Sequence, residues 1–435
     1  MPDPWVIQVN TFEDMRDFAL NSVCSAGEAV DGPCSLRAAL HEASYHAVGN
    51  AIIELPPGVY KLTLDKPSFD GEEEAHYGDL DIPGINNPRT GTLIIKGTGE
   101  LDNPSIIDAN FIDRVFEIGK NQIVALENLV LRNGLATEAV SGREEGGGIF
   151  VEDADLSLSH VRLTHNEARS EGHNISEGGA IYSFEAKLNI AHSEIAHNKA
   201  DIVTALSYRG YTHQALIYST SIHHNVINKD YSAHISGKVM VTNSTVAYNQ
   251  GGDAYIDIAA SFGWVQNSTL VASGPMNLVT LDNRSHLYYN IMVNLPDANG
   301  DIELNCHTRS TGLISKGGNI FTDDSCHPDA ALDQVMSPAA IKLSPLGNYG
   351  GYTPTIALLP NSPAIDHGDA NCMTWWENTM PKGSPITNDY TLVPLMSDQR
   401  FLPRTDGHCD IGAFELQAHE NYEALLLYLP IILKK

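Results

Sequence analysis

Leu158-Ser159-His160-Val161-Arg162-Leu163-Thr164-His165-Asn166 returns along the chain with the same alternation and the same closing asparagine. The later copies are Ile190 to Asn198 (IAHSEIAHN), Ile217 to Asn225 (IYSTSIHHN) and Val241 to Asn249 (VTNSTVAYN), then Val265 to Ser273 (VQNSTLVAS) with serine in the last place. A degenerate copy precedes them at Ala125 to Asn133, and Leu287 to Asn294 follows. In each, the apolar residue three before the asparagine alternates with polar neighbours, which is the period of a strand. Gly146-Gly147-Gly148-Ile149 and Gly178-Gly179-Ala180-Ile181 keep the interval that separates Asn166 from Asn198, so the register holds over a whole coil. Glycines let the backbone turn sharply into the next strand, and the repeated asparagine suits a stacked, hydrogen-bonded ladder inside a turn. A period of a few tens of residues built from short β pieces means stacked coils. Leucine-rich repeats share the period, but their LxxLxLxxN pattern and helical backs are absent. The sequence therefore predicts an all-β fold, a right-handed parallel β-helix (solenoid).

Working outward, the ends of such a solenoid expose unpaired strand edges that must be covered. Ser35-Leu36-Arg37-Ala38-Ala39-Leu40-His41-Glu42-Ala43 reads as a short capping helix with Ser35 as its N-cap and an apolar stripe that plugs the first coil. Gly347 to Ala413 is rich in Gly, Pro and Asp and reads as an irregular cap. The expected organisation is an N-terminal cap over 1–50, β-helix coils over 51–325, and a C-terminal cap and tail over 326–435. The final Ala424 to Leu433 (ALLLYLPIIL) is too short to span a bilayer and reads either as an added strand or as part of a sorting tail.

Lys plus Arg is 26 against 54 for Asp plus Glu, a formal charge of -28 over 435 residues. That field repels polyanions, so nucleic acid is not expected as a partner and neutral glycans fit better than acidic ones. The six cysteines fall into spaced pairs, Cys24 with Cys34, Cys306 with Cys326 and Cys372 with Cys409, without a CxxC motif. Disulfides in an oxidising compartment are the natural reading, and short loops favour the nearest-neighbour pairing. Met1-Pro2-Asp3-Pro4 runs into a polar strand with no leader pattern, which suggests a chain that starts after a removed signal peptide. No stretch reaches the ~18 apolar residues of a membrane-spanning helix. A secreted or cell-surface monomer is expected.

Cys34-Ser35-Leu36-Arg37-Ala38-Ala39-Leu40 resembles the CSLREA motif that opens a family of bacterial exported β-helix proteins, with Ala38 where the family has Glu. Gly78-Asp79-Leu80-Asp81-Ile82, Ile107-Asp108 and Arg114-Val115-Phe116 look like the first coils of those proteins. Ser362-Pro363-Ala364-Ile365-Asp366, Asp398-Gln399-Arg400 and Cys409-Asp410-Ile411-Gly412-Ala413-Phe414-Glu415 resemble the choice-of-anchor Q domain. The resemblance covers nearly the whole chain. It implies export, a pectate-lyase-like fold and a C-terminal region near an anchoring signal, and it carries over no catalytic residue.

Equivalent positions of neighbouring coils lie ~4.8 Å apart, so columns can be read from the repeat. Glu145 and Glu177 each precede a glycine turn and should stack. Two carboxylates that close cannot both ionise cheaply. They can serve as acid and nucleophile of a retaining glycoside hydrolase, bind Ca²⁺, or splay into water. No cofactor is required by this reading, and Ca²⁺ stays open. His165, His197 and His224, continued by Tyr248, form a second column suited to base or metal chemistry but also to a plain stack that shields the turn. His160 and His192 form a shorter row.

The less regular segment after the second full copy and beyond the third carries Tyr208, Arg209, Tyr211, His213, Tyr231 and His234. Loops on a rigid scaffold are where binding sites usually lie. Together with His173, Tyr208 and His213 are the candidate proton-transfer groups. Tyr211, Arg209, Tyr231 and His234 are the candidate sugar contacts. A Tyr or His base with Arg209 neutralising a uronate would make a β-eliminating lyase, against which the acidic charge counts. Asp253 and Asp257 share a strand face and offer a cation site. The sequence thus points to a protein acting on or binding polysaccharide or a cell-surface glycan, with a noncatalytic adhesion protein as the other reading.

Overall fold

Asn166, Asn198, Asn225 and Asn249, which close the four full copies that end in asparagine, are buried rungs. Asn166 donates from its backbone N–H and from Nδ2 to Asn198 Oδ1, both at 3.0 Å, and its own Oδ1 accepts the Gly134 N–H at 2.9 Å. Farther along, Asn225 donates to Asn249 Oδ1 in the same way. A side-chain amide at this corner extends the hydrogen bonding between coils where the strand ladder is interrupted. The residue before each rung takes a left-handed backbone, with φ 57° at His165, 59° at His197, 53° at His224 and 53° at Tyr248. His160 and His192 occupy a second left-handed corner, at 56° and 52°. These histidines are therefore corner residues, and His165 and His197 stack with ring centroids 5.2 Å apart.

The computed structural model describes residues 4–17, 21–26, 32–45, 49–65, 76–86, 88–137, 144–170, 175–229, 233–251, 255–273, 276–281, 285–296, 300, 303–308, 314–328, 333–377, 390–404 and 408–417. Two compact units divide the chain. The first holds Met1–Ile190, Ile195–Gly210 and Val226–Asn228, and the second Ala191–Glu194, Tyr211–Asn225 and Lys229–Lys435. Both are built from short strands paired in parallel with their counterparts one coil away, for example Ile123–Arg132 with Asp155–Thr164 in the first and Ala233–Thr242 with Tyr255–Gln266 in the second. The architecture is that of a right-handed parallel β-helix, the hand that parallel crossovers adopt. The core is a set of stacked apolar columns, since alternate residues of every strand point inward.

In the first unit, helix α1 (Leu36–Tyr45) starts at Ser35, whose Oγ accepts the Ala38 N–H at 3.1 Å. Leu36, Ala38, Ala39, Leu40 and Ala43 are buried. Arg37 is buried too; its Nε lies 2.6 Å from Asp14 Oδ1, and its terminal nitrogens donate to the carbonyls of Tyr77, Gly78 and Asp79. Glu42 accepts the N–H groups of Asn21 and Ser22. Around the cap, Trp5–Gln8 pairs with Ala51–Leu55, and Cys24 is bonded to Cys34. The stretch resembling CSLREA is thus the joint between helix and first coil.

The second unit has disulfides Cys306–Cys326 and Cys372–Cys409, so all three pairs are the nearest-neighbour ones. Its C-terminal cap is organised by buried ion pairs, Arg400 with Asp398 at 2.8 Å and Arg404 with Glu415 at 2.8 Å. The Arg400 guanidinium also lies 3.6 Å from the centroid of Phe414. An antiparallel hairpin, Met373–Glu377 with Tyr390–Pro394, docks through the Gln266 amide, which accepts the Trp375 N–H and donates to its carbonyl. Ala424 to Leu433 lies outside the described residues. Among the described residues no helix is long and apolar enough to cross a membrane.

Candidate functional site

Five strands of the first unit pair in succession: β1 (Leu80–Ile82), β2 (Phe116–Ile118), β3 (Ile149–Glu152), β4 (Ile181–Phe184) and β5 (Val203–Arg209). Their register puts Leu80, Phe116, Ile149, Ile181 and Leu206 in one inward column. Ile82, Ile118, Val151, Ser183 and Tyr208 form another. The residues between them point away from the interior as a third column, Asp81, Glu117, Phe150, Tyr182 and Ser207, of which Asp81, Phe150 and Ser207 are buried and Glu117 and Tyr182 half-buried. Beside it runs Glu152, Phe184 and Arg209.

This outer face has three chemical zones. At the β1 and β2 end Asp79, Asp81 and Glu117 bring carboxylate oxygens within 4.8 Å of one another. Arg114 Nη1 lies 2.8 Å from Glu117 Oε2 and 3.8 Å from Asp79 Oδ2. Desolvation, reinforced by Asp81 and Asp113, pushes the Asp79 carboxyl well above the usual carboxylate range despite Arg114. In the middle, Phe150 and Tyr182 stack with centroids 5.5 Å apart and planes 10° from parallel, and Arg114 lies 5.2 Å from the Phe150 centroid. Phe184 is 40% exposed alongside. At the far end Glu177 accepts from Ser207 Oγ at 2.8 Å and from Arg209 Nε at 2.9 Å, and pairs also with Arg209 Nη2.

The glutamates expected to stack do so, because Glu145 and Glu177 pair as a parallel bridge and Glu177 pairs again with Val203. Both Glu177 oxygens are held by donors, an arrangement that anchors Arg209 and suits a nucleophile poorly. Tyr208 points inward, is 3% exposed and donates from its hydroxyl to the Ala186 carbonyl at 2.9 Å. The β5 alternation that puts Ser207 and Arg209 outside puts Tyr208 in the core.

Tyr211 and His213 belong to the second unit, Tyr211 fully on the surface and His213 half-buried. His234 and Asp257 are also there, both completely buried. Burial pulls the His234 imidazole down to about 3. It pushes the Asp257 carboxyl up to about 7, although Asn249 Nδ2 donates to it at 3.0 Å. Asp257 follows the Asn225 and Asn249 rungs and faces no solvent, and the Asn290 and Asn319 rungs lie farther along the same unit. His173, Tyr231 and Asp253 lie outside the described residues. The structure therefore groups Glu145, Glu177 and Arg209 on one outer face. It adds Asp79, Asp81, Arg114, Glu117, Phe150, Tyr182 and Phe184, which sequence reasoning passed over as site residues. Their signal was the alternation in Gly78-Asp79-Leu80-Asp81-Ile82 and Arg114-Val115-Phe116-Glu117, where polar residues flank inward apolar ones.

No family model and no curated protein sequence matches the chain. Among solved structures, the crystal structure of pectate lyase Pel9A aligns with a TM-score of 0.42 and 12% identity, covering 95% of this chain and 96% of that chain. At that identity no residue of the enzyme's site can be transferred here.

Proposed function

We propose that this is an exported β-helix protein that binds an extended, predominantly neutral polysaccharide along the outer face of β1 to β5. The observation that carries the reading is the pair of accessible rings, half-buried Tyr182 and Phe184 at 40% exposed, with Tyr182 backed by the buried Phe150 and the pair bounded by Glu117 on one side and Glu177–Arg209 on the other. Aromatic faces take the apolar faces of sugar rings, while carboxylates and guanidinium groups at their edges take hydroxyls. Coils repeat at ~4.8 Å, comparable to the length of one pyranose, so successive sugars can meet successive coils in register. The net charge of -28 and the pairing of both Arg114 and Arg209 with carboxylates favour uncharged sugars over uronates. Three disulfides, the absence of free cysteines among the described residues, and the resemblance to the CSLREA family support export to a secreted or surface location.

Binding is favoured over hydrolysis, because Glu177 is occupied by Ser207 and Arg209. The test is a panel of neutral and acidic polysaccharides, followed by retention in affinity electrophoresis and by release of reducing ends or unsaturated uronates. Retention by a neutral glycan without product supports the proposal. Reducing ends that disappear in Glu145→Gln would replace it with a hydrolase, unsaturated product with a lyase, and no retention on any glycan would overturn it.

A further inference from the structure

We infer that Asp79, Asp81 and Glu117 form a binding site for one divalent cation, with Ca²⁺ the ion whose chemistry fits. The site follows from strand alternation: Leu80 and Ile82 turn into the core, so Asp79 and Asp81 share the outer side, and the register sets Glu117 directly beside Asp81. Gly78 holds the approach to β1 in a left-handed turn at φ 59°, and Arg37 of α1 fixes the carbonyls of Tyr77, Gly78 and Asp79. One carboxylate oxygen from each of the three residues falls within 4.8 Å of the other two. Oxygens arranged around one hard ion at ~2.3–2.6 Å span that distance.

A second observation separates this cluster from an ordinary acidic surface. The Asp79 side chain is 8% exposed, and its Oδ2 has no hydrogen-bond partner. Arg114 stays 3.8 Å away, beyond hydrogen-bond reach, since the same nitrogen is committed to Glu117 Oε2 at 2.8 Å. A buried carboxylate oxygen left without a donor is costly. Charge points the same way: three carboxylates face Arg114, and Asp113 adds a fourth whose Oδ1 accepts the Arg114 N–H. The local excess is at least two negative charges. Of the guanidinium groups close by, Arg37 is already paired with Asp14 and Arg16 lies over the Tyr77 ring. Glu117, with a side chain 38% exposed, leaves a way in for the ion. The cation would be held at the first coil under the N-terminal cap, and its binding does not depend on the glycan reading.

The experiment uses the full chain, stripped with a chelator and then titrated with Ca²⁺ alone in a calorimeter, with thermal unfolding followed in parallel. Binding at one site is expected, with half-saturation in the ~0.1–1 mM range of extracellular sites, and Tm should climb with Ca²⁺ concentration. Asp79→Asn and Asp81→Asn should melt at or above the parent in cation-free buffer, because mutual repulsion is relieved, while their Ca²⁺ affinity falls roughly tenfold or more. Glu117→Gln, partly exposed and leaving the buried pair intact, should lose affinity likewise if the other two fail to fold. Glu152→Gln, which breaks only a pair with Lys120, should keep the full response. No Ca²⁺ heat and no Tm shift, or a response retained in all three cluster variants, would overturn the site. So would asparagine variants that melt lower in both buffers and still respond to Ca²⁺.

Discussion

At the scale of single residues, the buried ionisable groups set a pH dependence that can be signed. The Asp257 carboxyl, raised to about 7 by burial, is bound more tightly to its proton in the folded chain than in the unfolded one. Its contribution is fully present below about pH 4 and is lost as pH rises through about 7. His234 has the opposite sign, since burial holds it near 3 and the stability it confers above about pH 6.5 is lost on acidification. The two residues are neighbours across the register of Ala233–Thr242 with Tyr255–Gln266, so their slopes oppose one another over the same window. Asp257→Asn should therefore raise Tm relative to the parent at pH 8 and much less at pH 4, as thermal melts at the two pH values would read. An equal shift at both would mean that Asp257 is not held protonated. The corner histidines make a second prediction: His165→Asn, which tolerates φ near 57°, should change stability by less than about 0.5 kcal/mol, and His165→Val should cost about 1–2 kcal/mol in denaturant titrations.

At the scale of elements, the ladder and the strands behave differently under mutation. Asn198→Ala removes the acceptor for the Asn166 N–H and Nδ2 and the donor to the Leu163 carbonyl, leaving buried groups unpaired. A loss of about 2–4 kcal/mol is expected from the midpoint of urea unfolding, far more than for the neighbouring corner residue His197. The elements were also where the sequence was most legible. The repeated asparagine and the two glycine turns are enough to set register, and Glu145 and Glu177 do stack because an equal interval in sequence becomes one coil in space. Tyr208 was not legible in the same way, since no copy of the motif covers β5 and its inward face follows from strand pairing such as that with Ile181–Phe184. The Asp81, Glu117, Phe150, Tyr182 and Ser207 column stayed hidden for a related reason. Its members differ in type, and a column of unlike residues shows only once the register is known.

For the molecule as a whole, the motifs of the two caps lie away from the functional candidates, whereas the stretches 78–82 and 114–116 run through the candidate face. Arg37 and Glu42 fasten the N-terminal cap, and Asp398, Arg400, Arg404 and Glu415 form the buried ion pairs of the C-terminal one. Those cap stretches carry charges that must be satisfied in the interior, where removing one partner leaves the other with a large desolvation cost. Arg400→Ala should accordingly unfold or strongly destabilise the cap without altering glycan retention of whatever fraction stays folded. The overall charge of -28 predicts that weak retention by acidic polysaccharides, if seen at all, strengthens with added salt, whereas retention by neutral ones does not depend on it. Calorimetry with the best-retained neutral glycan, on the parent protein and on Tyr182→Ala, tests the central claim most directly. The account predicts that affinity falls about tenfold or more, about 1.4 kcal/mol, at a temperature where both proteins are folded. Unchanged affinity in both Tyr182→Ala and Phe184→Ala would contradict it.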